Sequence, residues 1–584
     1  MMERWRLFAL RMPLEHSPED LERAICKKLQ LPSTALRSHR IVKRSVDARQ
    51  RGGIALVYAL DLELELTPAG QARLRRRFAK GSQLRPTPDD TYRFVREHPL
   101  EALTERPLVI GAGPCGYFAA LLLAQMGCRP LLLERGQPVK RRTADTFGFW
   151  RGERAFDAES NAQFGEGGAG TFSDGKLYSQ ISEPPVYARK VLEELVAAGA
   201  NPEILTLHRP HIGTFRLATV VRGLRAKIEA LGGEVRFGAR VDGLVLAEDG
   251  SRQVRGVRLS TGEGLRASQV VLAVGHSARD TFSWLEREGV AMECKPFAVG
   301  LRIEHPQGLI DRARWGDWAG HPALGSAEYK LVHHTAAGRD VYSFCMCPGG
   351  WVVAATSEAG CVATNGMSQH SRRERNANSG LVVNITSQDL EPWGRWPGDP
   401  LAGVAFQRHW ERRAFEAGGG NYRAPAQTLA NFLSREAPAS PQPRVNDQGD
   451  DSGAETNVQA SYLPGVAMTS LEGCLPDFVL SSIREALPFF ARSLPGYLLD
   501  GALLTGVETR TSSPLRIRRL VGSLQSENTP GLYPAGEGAG YAGGILSAAI
   551  DGVKVAEAVA RALTVNPPLP HLPGAPGESA CDPA

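Results

Sequence analysis

The sequence predicts an α/β protein. Its core is a parallel βαβ unit, interrupted by a sheet-rich insertion and preceded by a small α+β module. Three observations predict this. The apolar run Pro107-Leu108-Val109-Ile110 meets a glycine turn, Gly111-Ala112-Gly113-Pro114-Cys115-Gly116, and an apolar helical stretch then runs from Tyr117 to Met126. The same rhythm returns late in the chain, where Leu532-Tyr533-Pro534 leads through Ala535-Gly536-Glu537-Gly538 to a helix rich in Ala, Val and Ile at Ser547 to Leu563. Between them, residues 281–465 show little helical periodicity and carry more aromatic and mixed polar residues.

The first glycine turn is followed by a second apolar run, Pro130-Leu131-Leu132-Leu133, ending at Glu134. Strand, glycine turn, helix, strand and acid fall within about 30 residues, the dinucleotide-binding fingerprint of a Rossmann-like unit. Each part has a mechanical role. Gly111 allows the tight turn, Gly113 clears a side chain where pyrophosphate must approach backbone, and Gly116 lets helix and strand pack closely. The helix start at Pro114 and Cys115 offers unpaired N–H groups to phosphate. Glu134 can accept hydrogen bonds from a ribose, and Arg135-Gly136 follow it.

Five segments are expected along the chain: a basic α+β module at 1–100, the first part of the nucleotide-binding domain at 101–280, an inserted substrate domain at 281–465, the C-terminal part of the nucleotide-binding domain at 466–563, and a disordered tail at 564–584. In the first module Trp5 to Met12 reads as a strand. Ser17 caps a helix that opens at Pro18, with Leu21, Ala24, Ile25 and Leu29 at helical spacing. A hairpin follows, from His39 to Val46 and from Ile54 to Leu66, then a basic helix at 71–80 and a connector at Pro86 to Asp90. Further on, a helix is expected at Thr219 to Leu231. Strands are expected at Glu234 to Phe237, Gly238 to Ala247, Gln253 to Ser260 and Val270 to Gly275. In the insertion they are expected at Lys295 to Glu304, Asp340 to Met346 and Trp351 to Ser357, and Pro438 to Glu455 reads as an exposed loop.

With 584 residues and 42% hydrophobic content the chain can bury a large core. Its net charge of +5 is unevenly spread: about +8 falls in residues 1–100, leaving the rest slightly acidic. Nine scattered cysteines are too few for a disulfide framework and point to a reducing compartment. No signal peptide and no transmembrane run is visible, which places the expected setting in the cytoplasm.

Three separated elements, the fingerprint at 111–116, the strand and glycine at 270–275, and Tyr533-Pro534-Ala535-Gly536-Glu537-Gly538, together resemble the glutathione-reductase-like FAD flavoproteins. The closer resemblance is to the bacterial and plastid family of uncharacterised FAD-dependent dehydrogenases. It is carried by Gly165 to Leu177, Phe344 to Gly350, Asn365 to Ser368, Asn376 to Ser379 and Gly536 to Ile545. The resemblance implies a three-layer FAD-binding domain of the glutathione-reductase type, a ferredoxin-like reading of the N-terminal module, and bound FAD. It places the backbone near Val241 against the adenine, and Gly168, Ala169, Gly170 and Thr171 along the pyrophosphate or flavin. Gly275 belongs to the same site. Gly536 and Glu537 fall in the segment that closes over the flavin, with Glu537 where Asp is more usual. Gly543, Gly544 and Ile545 open a helix toward the flavin ring.

Four residues are candidates for catalysis: Cys345, Cys347, His276 and Lys176. Cys345 and Cys347 would lie on one strand face about 6–7 Å apart, near the upper limit for a disulfide, unless a turn at Pro348-Gly349-Gly350 relaxes the spacing. His276 can move protons or anchor a loop, and Lys176 and Arg302 can meet an anionic substrate or stay solvated. His333-His334 lacks spaced partners, so no metal site is expected. No second fingerprint is present, which leaves NAD(P)H as a transient visitor or another molecule as electron donor. The expected function is an FAD-dependent oxidoreductase, a dehydrogenase acting on a small-molecule substrate. Alternatives are a reductase or saturase of an isoprenoid or aromatic double bond, an FAD-bearing RNA-associated protein, and a flavin-binding protein without turnover. A nucleic-acid partner is not expected, because no stacking platform accompanies Arg75-Arg76-Arg77.

Overall fold

A computed structural model describes residues 2–49, 53–78, 83–96, 105–178, 183–435 and 458–565. The expected loop at Pro438 to Glu455 and nearly all of the expected tail at 564–584 lie outside the described residues.

The N-terminal module is a four-stranded antiparallel sheet, in the order Leu36–Asp47, Ala55–Glu65, Met2–Met12, Leu84–Pro86. Two helices, Pro18–Leu29 and Pro68–Phe78, complete a β-α-β-β-α-β succession. The first helix starts where its sequence dictates: Asp20 N donates to Ser17 Oγ at 3.1 Å and Ser17 N donates to Asp20 Oδ2 at 2.9 Å. It buries Leu21, Ile25 and Leu29. Leu84–Pro86 pairs with Trp5 to Leu7 as an edge strand that was not expected, and the expected connector at Pro86 to Asp90 begins one residue later, at Thr87. Proline is tolerated because the edge needs no donor on its outer side.

The region from 105 to 290 and the chain's later return at 532–565 form a five-stranded parallel sheet ordered Leu532–Pro534, Val270–Leu272, Leu108–Ile110, Leu131–Glu134, Glu234–Phe237. Alternation divides its side chains. Val109, Leu132 and Val271 face the helices Pro114–Gln125, Thr214–Ala230 and Ile545–Val565. Leu108, Ile110, Leu131, Leu133, Val270 and Leu272 face a three-stranded antiparallel layer, Val241–Leu246, Val254–Leu259 and Gly264–Arg266. The two helices from opposite ends of the chain pack closely, since a Cβ at Gly552 would overlap the Cys115 carbonyl oxygen. The helix expected from Thr219 begins at Thr214 instead. Gly213, at φ 81°, supplies the turn, and Thr214 Oγ1 donates to Thr171 O.

The largest sheet has eight strands. Seven run in the order Val332–His334, Asp340–Ala354, Asn376–Ile385, Phe297–Pro306, Leu503–Glu508, Ala424–Thr428, Val466–Met468, and Thr364–Ser368 pairs on Asp340–Ala354. It therefore draws strands from beyond residue 465. The region also holds more helix than its pattern predicts, including Arg279–Arg287, Gln307–Trp315 and Ala402–Ala417. The reason is visible in Ala402–Ala417: its buried side includes Gln407 and Glu411 beside Phe406 and Ala414, so polar residues mask the helical period.

The N-terminal sheet docks through backbone on the loop at 206–208, in the region of the parallel sheet. Arg44 N donates to Thr206 O at 2.6 Å and His208 N donates to Arg44 O at 2.9 Å.

Candidate functional site

A single cavity of about 1640 Å³ runs between the parallel sheet and the largest sheet. It exceeds the ~300–1,000 Å³ of a pocket for one drug-sized ligand, so it has room for a large cofactor and a second molecule. The glycine turns form one side: Gly111, Gly113, Pro114, Cys115, Gly168, Ala169, Gly170, Gly275, Gly543, Gly544 and Ile545 all line it. Glu134, Arg135, Val241, Glu537, His276, Lys176 and Cys345 line it as well.

Four of the expected residues stand off the wall, each for a physical reason. Gly116 lies beneath the turn, where a Cβ would overlap the Gly111 carbonyl oxygen. Gly536 packs on Cys115, 2.8 Å from its Cβ at the position of an added methyl. The Thr171 hydroxyl turns inward and donates to Glu166 O at 3.3 Å. Cys347 is fully buried behind Cys345.

Glu134 ties the cradle together. Its carboxylate accepts from Ala112 N at 2.8 Å, Gly136 N at 2.8 Å and Gly165 N at 2.9 Å. Three of its roughly four acceptor positions are used by these backbone groups, which leaves one toward the cavity. Arg135 is committed elsewhere: it pairs with Glu159 at 2.8 Å and Asp280 at 2.8 Å and lies over the Phe164 ring.

Residues that sequence reasoning missed hold the second glycine loop in place. The buried Arg142 guanidinium donates to Asn161 O at 2.8 Å, Ala162 O at 2.9 Å, Glu166 O at 2.7 Å and Gly168 O at 2.9 Å. Burial pushes its pKa down to about 10, against the pull of Glu134 and Glu166. Glu166 in turn accepts from Tyr117 Oη at 2.9 Å and Val139 N at 2.6 Å. No spacing rule marks an arginine that is solvated by carbonyls, so this support had no sequence signal.

The floor of the cavity carries a proton-holding group. Burial pushes Glu537 up to about 7, with Lys295 opposing it. His276 Nε2 lies 3.8 Å from Glu537 Oε1. Burial, reinforced by Arg510 and Arg279, drives His276 down to about 3, so its imidazole is neutral near pH 7. Lys295 and Arg510 also line the cavity, although no motif singled them out. Arg510 and Arg279 share the buried Glu411, at 2.8 and 2.7 Å. Glu358, Cys361 and Glu411 bring possible metal ligands within 4.8 Å of one another, but Arg279, Arg408 and Arg510 already answer both carboxylates.

The far wall comes from the largest sheet and from the loop after the second glycine run. Lys176 is not solvated: it donates to Met346 O and lies 3.5 Å from Asp174. Burial acts against its charge, yet Cys347, Cys345 and Asp174 outweigh it and hold the ammonium above its ordinary range. Arg302 is fully buried and bound to Glu508, at 2.9 Å from both Nε and Nη2, so it does not meet a substrate directly. The strand Asp340–Ala354 is bulged where Cys345 lies. Phe344 pairs with Gly380 and Cys347 with Asn378, and Cys345 takes φ 43°. The flat-strand spacing expected for the two cysteines therefore does not apply.

The cradle fits FAD on its own geometry. Gly275 and Gly544, at φ 78° and 119°, have nothing within 4 Å of an added Cβ, so side chains there would fill the cavity. The helix Pro114–Gln125 has Gly113 at its N-cap with no side-chain cap, leaving N–H groups for pyrophosphate.

Residues 296–511 match the family described as FAD-dependent protein, C-terminal domain-like, and residues 5–63 match a domain of unknown function. Over 558 residues the chain is 41% identical to an uncharacterized protein of Clostridium beijerinckii, covering 94% of this chain and 98% of that one. The chain belongs to the same family as this clostridial protein. The model matched at 296–511 is described as FAD-dependent. Among solved structures, CtdE in complex with FAD is 12% identical, with a TM-score of 0.30 over 78% of this chain and 84% of that one. The GidA-related protein from Thermus thermophilus is 18% identical, with a TM-score of 0.21 over 34% and 73%. Among the described residues no helix is long and apolar enough to cross a membrane.

Proposed function

We propose that the protein is an FAD-dependent oxidoreductase, a dehydrogenase that moves an electron pair between bound FAD and a small molecule. One observation carries the reading: glycine turns from both ends of the chain line one cavity whose opposite wall presents Lys176 and Cys345. The core is read as a three-layer domain of the glutathione-reductase type, assembled from residues 101–280 and 466–563. Residues 281–465 supply most of the substrate side. The first 100 residues form a module read as ferredoxin-like, from its β-α-β-β-α-β order.

In this reading Gly111, Gly113 and the N–H groups after Pro114 hold the pyrophosphate, and the free acceptor position of Glu134 takes a ribose hydroxyl. Val241 meets the adenine. Gly168, Ala169, Gly170 and Gly275 keep the wall low enough for the cofactor to lie against backbone. Gly543, Gly544 and Ile545 bring a helix start, with its partial positive charge, to the ring. FAD supplies the electron-pair chemistry when bound. The chain supplies the rest. Glu537 holds or releases a proton near neutrality beside the neutral His276, and Lys176 fixes the far wall and its charge.

Anaerobic mixing of the flavin-loaded protein with NADH, NADPH and candidate small molecules tests this. Bleaching of the flavin absorbance by at least one reductant, and its return with an acceptor, is the expected result. Flavin that no donor reduces would leave a binding protein without turnover and contradict the proposal.

A further inference from the structure

Cys345, on the wall opposite the glycine turns, and Cys347, buried behind it, are used by nothing in the nucleotide cradle. They occupy a bulge, where three steps of one strand (Phe344 to Cys347) face two of its partner (Gly380 to Asn378). Bulges re-aim side chains and recur beside active sites. Cys345 sits at φ 43°, a left-handed conformation that is costly for a non-glycine residue and persists only where the surroundings enforce it. The bulge folds the second cysteine back over the first. Cys347 Sγ donates to Cys345 O at 3.3 Å.

The surroundings are asymmetric. Cys345 faces the cavity, and Cys347 is fully buried behind it. A Cβ at Gly366 would come 2.7 Å from Cys347 Sγ, so only glycine leaves space for that sulfur. Two cations flank the pair: Lys176 donates to Met346 O, and Arg302 Nη1 donates to Cys345 O at 3.3 Å. The neighbouring Cys347 thiol, with Lys176 and Arg302 and against burial, draws Cys345 below its ordinary range. Cys347 is pushed well up by its Cys345 neighbour and by burial. Burial raises Cys115, Cys128, Cys361 and Cys474 instead, which marks them as packing residues. An outer thiol beside two cations, with a second thiol folded behind it, is an arrangement suited to disulfide chemistry.

We propose that Cys345 and Cys347 are a dithiol–disulfide pair that exchanges electrons with FAD held in the cavity. The proposal rests on the FAD reading above. In the oxidative direction the Cys345 thiolate and the Cys347 thiol become one Sγ–Sγ bond. The Cys347 S–H bond breaks, and its proton and the electron pair reduce oxidised FAD to the anionic dihydroflavin. The reverse step uses that electron pair and proton to reopen the disulfide. Lys176 and Arg302 act as positioning residues, holding the bulge by its carbonyls and the outer sulfur as thiolate.

Alkylation followed by peptide mass analysis, joined to an anaerobic reductive titration, tests it on the full flavoprotein. Air-oxidised wild-type protein is expected to leave residues 345 and 347 unalkylated until a reductant is added. It should then accept about twice the electrons per flavin that Cys347→Ser accepts, because one S–S bond and one flavin each take a pair. The alkylation pattern is read on wild type, so it stands even if the variant does not fold. A flavoprotein whose two thiols alkylate in the oxidised state, with the electron capacity of flavin alone, overturns the pair and leaves the FAD reading intact. Protein that takes up no FAD contradicts the cofactor reading and removes the electron partner named here.

Discussion

Glu134 and Gly113 do different work although they share one motif. Glu134 spends its carboxylate on three backbone N–H groups and so ties the first glycine turn to the second. Gly113 holds no such bond, and an added Cβ there would meet only Gly168 Cα at 3.9 Å. Glu134→Ala should loosen both loops. Gly113→Val should leave the fold intact and fill the space where pyrophosphate approaches. Both variants are expected to lose at least tenfold in FAD retention, measured as flavin absorbance after gel filtration. Thermal unfolding should separate them, with Glu134→Ala melting lower and Gly113→Val near wild type. Native-level retention in both would contradict the cradle. The glycines and the acid were legible because each answers to a steric or hydrogen-bonding rule at fixed spacing. Arg142, Glu166 and Arg510 were not, because their partners are backbone groups, a hydroxyl or charges from distant segments.

Among the elements, strand pattern was read better than strand irregularity. The strand expected at Lys295 to Glu304 is present as Phe297–Pro306, a run of buried residues at the centre of the largest sheet. The bulge at Cys345 was invisible, since Phe-Cys-Met-Cys alternates like any other strand. The helix Ala402–Ala417 was missed because Gln407 and Glu411 are buried to serve Arg279 and Arg510. Phe297–Pro306 also carries a titrating group. His305 is fully buried, bonded through Nε2 to Tyr497 O at 2.8 Å, and burial drives it from 6.5 down to about 4. The unfolded chain binds a proton here between those two values and the native state does not. Stability from this group is thus complete above about pH 6.5 and is lost as pH falls through about 4, amounting to ~3 kcal/mol. His211 and His276, driven to about 4 and about 3, act with the same sign. The melting temperature should fall steadily from about pH 6.5 to pH 4.5, and less steeply in His305→Leu. A flat profile across that window would contradict this assignment.

For the whole molecule, the α/β class follows from period-2 and period-3.6 runs, but the path of the chain does not. That Leu503–Glu508 crosses into the largest sheet before the chain returns at Leu532–Pro534 depends on pairings some two hundred residues apart. Local pattern carries no record of such pairings. The N-terminal module likewise reads as a separate basic unit, yet Val42 and Lys43 reach the cavity wall through its backbone bridge to residues 206–208. What unites these parts is the space they enclose, lined by glycine turns near both ends of the chain. The most direct test of that claim is FAD stoichiometry, by flavin absorbance and isothermal titration on purified or cofactor-stripped protein. The account predicts one tightly held FAD per chain. Colourless protein that takes up no FAD on reconstitution would contradict it.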